Sequence, residues 1–436
     1  MDPNPGRRRA SREGGRLLAD AAARAPRGPD ARATLCRPRH LRPAPRGVPS
    51  AGPGARRRVR LAGGRLIRVL ELTTTTAPGG GPRQVYDLAR RLPRSEFEIA
   101  VAGPRDGPFF ERLCALGLTV VEVPAGRLGV RPLLATVRLI RRLGIEVVHT
   151  HGKGAGLHGR LAARWTGAAA VHTFHGIHHE SYPRPLQRLY LGLERRLARW
   201  THTAIHVSPT QAAEAQRLGL TAAGGSATVV NGVDLHEQDQ RLAASPLPRA
   251  RLGLAPDWAV LGSVARFDPV KRLDALVGAL RFLNRRDVAL LLVGDGPEAV
   301  RLRRRVAAAG LGERVVFAGW LDDPARVYPA LDLYVAASRK EGLPLAVLEA
   351  MGAGLAVVAT DVPGHRDAVA AGETGLLVPP GDERALAAAI GALLDDPERR
   401  RRLGRAGRAR VARDFAIRPM VDKTAEIYRA AAASLR

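Results

Sequence analysis

Residues 259–296, "AVLGSVARFDPVKRLDALVGALRFLNRRDVALLLVGDG", hold two short apolar runs, AVLGSVAR at 259–266 and ALLLVGDG at 289–296, on either side of an amphipathic stretch. Each run is rich in Val, Leu and Ala and is closed by Gly or charged residues, which reads as a strand buried on both faces. The segment between them has the apolar spacing of a helix. A strand, a crossover helix and a second strand make a parallel pair, because only parallel neighbours need so long a connection. The alternation goes on through RVVFAGW, LDLYVAAS, LAVVATD and GLLVPP. Upstream it is already present in LIRVLEL (66–72), EIAVAG (98–103), TVVEVP (119–124), IEVVHTH (145–151), AAVHTFHG (169–176), TAIHVS (203–208) and ATVVNG (227–232). Between these runs, RPLLATVRLIRRLG and LQRLYLGLERRLARW repeat the helical spacing.

The pattern pauses at residues 235–256, where charge, Pro and no strand signal suggest a linker. The expected fold is therefore α/β: two Rossmann-like, doubly wound parallel-sheet domains facing across a cleft, with ligand bound beyond the carboxyl ends of the strands. A chain of 436 residues also exceeds what one core normally supports. The expected division is a tail at 1–64, domains at 65–240 and 241–415, and a terminal helix at 416–436.

Net charge is +28, yet residues 1–64 alone carry 16 Arg against 4 acidic residues. Only Lys153, Lys271, Lys340 and Lys423 are lysines, and no basic stretch is interleaved with aromatics as in single-strand binders, so a nucleic-acid role is not expected. The Arg-, Pro-, Gly- and Ala-rich tail is expected to be disordered, or to precede the true start. Two cysteines, Cys36 and Cys114, imply no disulfide framework. No run reaches the roughly 18 apolar residues of a membrane span, and the N-terminus lacks the apolar core of a secretory signal. A cytoplasmic protein is expected.

Several residues stand where chemistry could occur. In VARFDPVKR, Arg266 ends a strand and Lys271 precedes the next helix, so both cations could converge on one anion; two solvated surface charges are the plainer alternative. In SRKEGLPLAVLEAMGAG, Pro344 suits a helix start at about 344–352. A capping box between Ser338 and Glu341 would trap Pro344 inside a helix at about 3 kcal/mol, so Glu341 is expected in the loop before the helix and Glu349 within it. The unbonded first-turn N–H groups of Leu345 and Ala346 would then form an anion site. Gly79–Gly81 follow the first strand and open a helix, which suits close backbone approach to a ligand or merely a tight turn. His175 ends a strand, and His149, His151, His172, His178 and His179 lie near it in sequence; their spacing matches no standard zinc motif. Gly294, Gly296 and Ala299 satisfy a dinucleotide fingerprint, but in the second sheet's interior rather than after its first strand.

Taken together, these residues resemble the retaining glycosyltransferases of the GT-B fold, family 4, over roughly residues 66–430. The most specific element is E-x7-E, Glu341 to Glu349, supported by NGVD (231–234), VARFDPVKR (264–272), VGDGP (293–297) and TGLLVPPGD (374–382). The resemblance implies transfer of a sugar from a nucleotide sugar donor to a glycan or lipid-linked acceptor, with no cofactor and no metal. It implies that Arg266 and Lys271 hold the diphosphate, that Glu349 holds the ribose and that Glu341 contacts the sugar. His175 would lie near the reacting centre, Gly80 and Gly81 would border the phosphate or acceptor, and Gly342, Leu343, Leu345 and Ala346 would line the donor site. It also implies a helix at IRPMVDKTAEIYRAAA crossing back to the first domain, and a peripheral place at the inner face of an anionic membrane. The chain departs from the pattern at Lys271–Arg272, where Lys-Gly is common, and at GHRDAV (364–369), where Gly-hydrophobic-Pro-Glu is usual. An NAD-dependent dehydrogenase and a non-catalytic sugar-nucleotide or polyanion binder are the alternatives.

Overall fold

The computed structural model describes residues 35–36 and 65–435, except 128, 178, 181 and 284. The expectation for residues 1–64 falls outside the described residues, save that Leu35–Cys36 (β1) pairs antiparallel with Val120 and Val121. The described chain clusters into two compact units.

The first unit is built on strands β2 (Ile67–Thr73), β3 (Phe97–Gly103), β4 (Thr119–Glu122), β5 (Val147–His151), β6 (Ala169–Phe174), β7 (Thr203–His206) and β8 (Ser226–Thr228). They lie in the order β4-β3-β2-β5-β6-β7-β8, every pair parallel. Helices connect them. Their apolar faces meet the sheet in a core that includes Leu70, Leu72 and Val148 from the strands and Val137, Ile140 and Ala162 from the helices. Burying each of the larger of these side chains is worth about 1.5–3 kcal/mol.

The second unit spans Val230–Met420 together with Ser208–Gln211. Its strands are β9 (Ala259–Val264), β10 (Val288–Val293), β11 (Val315–Gly319), β12 (Leu333–Ala336), β13 (Val357–Thr360) and β14 (Gly375–Val378). Their order is β11-β10-β9-β12-β13-β14, again all parallel. Residues 235–256 are not a plain linker: they hold a helix, Leu235–Ala244, capped by Asp234 accepting from the Glu237 N–H, and a 3-10 turn at Arg249–Leu252. They cluster with this unit. The polar composition that suggested a linker belongs to a largely exposed helix face.

Both sheets share one topological feature. The first strand of each, β2 or β9, lies between the second and the fourth, so the chain winds away from it in both directions. At that reversal the connections leave towards opposite faces, and side chains at the carboxyl ends of the two central strands are left uncovered by a crossover. The final helix, Ile417–Ala433, lies close to the expected span, and residues 421–436 cluster with the first sheet.

Candidate active site

In the second unit the carboxyl ends of β9 and β12 carry the E-x7-E segment and the Arg266–Lys271 turn. The helix there is Leu345–Gly352, with Pro344 at the N-cap rather than inside the first turn and no side chain capping it. Its first recorded backbone bonds run from Val347 and Leu348 to the Pro344 carbonyl, so the N–H groups of Leu345 and Ala346 face out of the helix end. Glu341 precedes the helix. Lys271 Nζ donates to Glu341 Oε1 at 2.6 Å, and Ser338 Oγ donates to the same oxygen at 2.6 Å. Ser338 and Glu341 are thus partners after all, but side chain to side chain: no helix begins at Arg339, so this is not a capping box.

Burial pushes the Glu341 carboxyl towards its neutral form, but the Lys271 ammonium beside it prevails and holds it below the ordinary value. Glu341 is therefore ionised at neutral pH. Lys271, Ser338, Glu341, Ala346, Tyr334 and His365 line one cavity. Arg266 is not among the residues around it: its side chain is 54% exposed and pairs through Nε with Asp268. Lys271 and the helix terminus are brought together there, whereas Arg266 stands outside. Gly342 and Leu343 form the elbow before the helix, where the Leu343 carbonyl accepts from Asn231 Nδ2 at 3.0 Å. Glu349 is half-buried and accepts from the Tyr328 hydroxyl at 3.2 Å.

Arg272, where Lys-Gly is common, is the one non-glycine residue with positive φ among the described residues, at 49°. It is held there between the turn Pro269–Lys271 and the helix Leu273–Phe282, with its side chain on Asp274.

In the first unit the same topological position holds a buried polar chain. Glu71 of β2 stands in register with His149 of β5, and His151 with Thr173 of β6. Residues two apart on a strand share a face, so Glu71, His149, His151 and Thr173 crowd one side of the sheet. His151 Nε2 meets Glu71 Oε2 at 2.7 Å, and His151 Nδ1 meets His175 Nε2 at 3.0 Å. Tyr428 donates its hydroxyl to Glu71 Oε1 and lies 2.5 Å from His149 Nδ1. Burial drives Glu71 towards protonation, but His149 and His151 outweigh it and hold the carboxyl well below its usual range. An ionised Glu71 only accepts. His151 must then donate from Nε2 and accept at Nδ1, so His175 donates from Nε2 and keeps a bare Nδ1. Burial lowers His175 well below its ordinary value, and at neutral pH it is an uncharged imidazole with one acceptor nitrogen.

Glu71, His149 and His151 each offer a ligand atom within 4.8 Å of one another. The four ring nitrogens are already engaged with protein partners: Tyr428, Thr173, His175 and Glu71. His178 lies outside the described residues. Gly80 and Gly81 begin the helix Gly80–Arg91, and a Cβ on Gly81 would stand 3.4 Å from the His175 ring, so Gly81 and His175 do meet.

Glu71 and Tyr428 were not anticipated. The available signal was the one acid in the strand LIRVLEL, flanked by Leu70 and Leu72, since a fully buried Glu is rare unless paired. Other predicted motifs prove to be architectural. Gly294 (φ 130°) and Gly296 (φ 158°) leave room for the Ala265 carbonyl and the Phe267 backbone, which a Cβ would meet at 2.0 and 2.7 Å. The dinucleotide-like spacing is therefore accounted for by the chain's own turn after β10. NGVD likewise serves the fold: Val233 exchanges backbone bonds with Phe415 and Ile417, and Asp234 caps a helix.

Comparison with known proteins accords with this architecture. Residues 247–410 match the family described as glycosyl transferases group 1, and residues 78–237 match Glycosyltransferase Family 4. The glycosyltransferase EpsD of Bacillus subtilis (strain 168) is 32% identical over 295 residues, 65% of this chain and 76% of that protein. An Escherichia coli UDP-Gal:alpha-D-GlcNAc-diphosphoundecaprenol alpha-1,3-galactosyltransferase is 26% identical, covering 77% of this chain and 90% of its own length. Among solved structures, Anabaena HepE in complex with UDP and glucose superposes with a TM-score of 0.73 at 23% identity, over 84% of this chain and all of that one. The chain belongs to glycosyltransferase family 4, and its two Rossmann-like units are those of the GT-B fold. It is a glycosyltransferase, which sets aside the dehydrogenase reading. Among the described residues no helix is long and apolar enough to cross a membrane.

Proposed function

We propose that this glycosyltransferase takes a sugar from a nucleoside-diphosphate donor and passes it, with its anomeric configuration kept and without a divalent metal, to a glycan or lipid-linked acceptor. The observation that carries this reading is the convergence of Lys271, Glu341 and an uncapped helix end on one cavity at the second sheet's switch point. A leaving diphosphate needs positive charge and N–H donors, and a sugar needs acceptors. Lys271 answers the first need together with the N–H groups of Leu345 and Ala346, and Arg266, outside the cavity, would have to leave Asp268 to add to it; Glu341 answers the second. Gly342 and Leu343 shape the elbow, and Glu349 takes the ribose hydroxyls. In the first unit, His175 beside Gly81, with Gly80 next to it in the chain, offers an acceptor nitrogen to the transferred sugar or the incoming hydroxyl. The similarity to the Escherichia coli UDP-Gal-dependent galactosyltransferase favours a uridine nucleotide. The test is turnover of UDP-sugars in the presence of EDTA, with the product's anomeric configuration read by NMR. Inverted product, or activity abolished by the chelator and restored by metal, would overturn the corresponding part.

Work at the inner face of the membrane is part of the same proposal. On the helix Arg184–Ala198, Leu186, Leu189 and Leu193 are exposed, Leu189 by 69%, and exposed Arg184, Arg188, Arg195 and Arg196 surround them. Leucines three and four apart form one stripe, and arginines beside it suit anionic headgroups. The protein should sediment with phosphatidylglycerol vesicles and not with phosphatidylcholine alone, and Leu189→Glu should weaken that binding several-fold. Equal binding to both vesicle types would count against an anionic surface.

A further inference from the structure

His365 is fully buried on the short helix Pro363–Ala368 and lines the cavity that Lys271 and Glu341 share. The close approach is built into the backbone: at Gly364 a Cβ would stand 2.6 Å from the Gly342 carbonyl oxygen, so only glycine lets this helix settle against the elbow. The imidazole is held at one end. Its Nδ1 lies 2.7 Å from the Thr360 carbonyl oxygen, which can only accept, so Nδ1 carries the proton. Thr360 is itself fixed by donating its hydroxyl to the Ser338 carbonyl at 2.6 Å. Burial keeps the ring below its ordinary pKa despite the pull of Glu341, so at neutral pH it is uncharged. Nε2 is then a bare acceptor, and it has no hydrogen-bond partner among the described residues.

A buried acceptor without a donor costs about 1–3 kcal/mol. The group that relieves it must bring an O–H or N–H. Diphosphate oxygens are themselves acceptors, so the phosphate part of a donor cannot fill this place. Glu341, a second acceptor lining the same cavity, points to the same chemistry: a polyhydroxylated group.

We propose that His365 Nε2 accepts a hydrogen bond from a hydroxyl of the transferred sugar, making His365 a determinant of which sugar is carried. This rests on the donor-site reading above. Where Lys271 faces the phosphates, His365 and Glu341 read the sugar.

The experiment compares wild type, His365→Val and His365→Gln by calorimetry, with UDP alone, with UDP-glucose, UDP-galactose and UDP-N-acetylglucosamine, and with deoxy analogues of whichever sugar binds. UDP affinity should stay within about twofold in both variants. His365→Val should lose about 3- to 10-fold for the nucleotide sugar, the effect of one neutral hydrogen bond. One deoxy analogue should bind wild type correspondingly more weakly but bind the valine variant no worse than the parent sugar does. Unchanged sugar affinity with an unchanged deoxy profile overturns the assignment, as does an equal loss for UDP and UDP-sugar. If wild type binds neither UDP nor any nucleotide sugar, the donor-site reading falls first and this one with it. Should the valine variant fail to fold, His365→Gln, which keeps an acceptor and the bulk, decides: nucleotide-sugar affinity within about twofold of wild type supports the assignment, and a loss for the sugar and UDP alike overturns it.

Discussion

Lys271→Ala is expected to lower turnover about 100- to 1,000-fold, because removing one donor to a developing oxyanion typically costs about 3–4 kcal/mol of transition-state stabilisation. The substitution does a second thing. Lys271 is the cation that keeps Glu341 ionised, and the Glu341 side chain is only 11% exposed. Deleting one member of a buried pair leaves an uncompensated charge, at about 3–5 kcal/mol. The two effects are separable. Lys271→Met combined with Glu341→Gln removes both charges and should recover most of the lost stability, while turnover stays low. If the double variant recovers turnover as well, neither the lysine nor the carboxylate serves the chemistry, and their pairing is structural. Arg266→Ala should act more weakly, since its guanidinium is largely in solvent and already pairs with Asp268.

The second large effect is acid instability of the first unit. His151 and His206 are buried, and burial pushes each down to about 4. His172 is lowered well below its ordinary value by burial, with Arg160 and the other histidines adding to it. An unfolded chain takes up these protons near pH 6.5, and the folded chain resists until about pH 4. Between those values the unfolded state binds more protons, so stability falls as pH falls. His151 and His206 each withdraw about 3 kcal/mol across the window, and His172 acts in the same direction. Glu71, depressed by His149 and His151, contributes stability that is lost in the same direction at still lower pH. Against a total of about 5–15 kcal/mol, the unit should unfold between about pH 6 and 4. Denaturant midpoints followed by circular dichroism would show a steep decline, and His206→Leu should flatten it by about one proton. A midpoint unchanged from pH 7 to 4.5 would refute the account.

The residues that could be read from sequence and those that could not differ in a consistent way. Strand runs such as LIRVLEL and ALLLVGDG were recognisable to within about three residues, because a strand buried on both faces is predominantly apolar. Glu341 and Glu349 were recognisable because Pro344 dictates where a helix can start. The proline that rules out a capping box between Ser338 and Glu341 says nothing of their side-chain bond, which requires no helix and leaves no periodic trace. His365 lay within a segment, GHRDAV, whose departure from the usual pattern was visible, though nothing in the pattern said which ring nitrogen would be left over.

Local order, then, was written in the chain: thirteen parallel-type strands, their helices, two α/β units and a helix mouth flanked by carboxylates, because hydrophobic period and proline geometry act over a few residues. Partnership was not. Lys271 reaches Glu341 across 70 positions, and Tyr428 reaches Glu71 across 357. Those meetings depend on β12 lying beside β9 and on the final helix packing against the first sheet, and both are settled by which buried faces pack together once the whole sheet has assembled. Ionisation follows from the same packing, since a carboxylate or an imidazole takes its charge from neighbours that only the folded chain supplies.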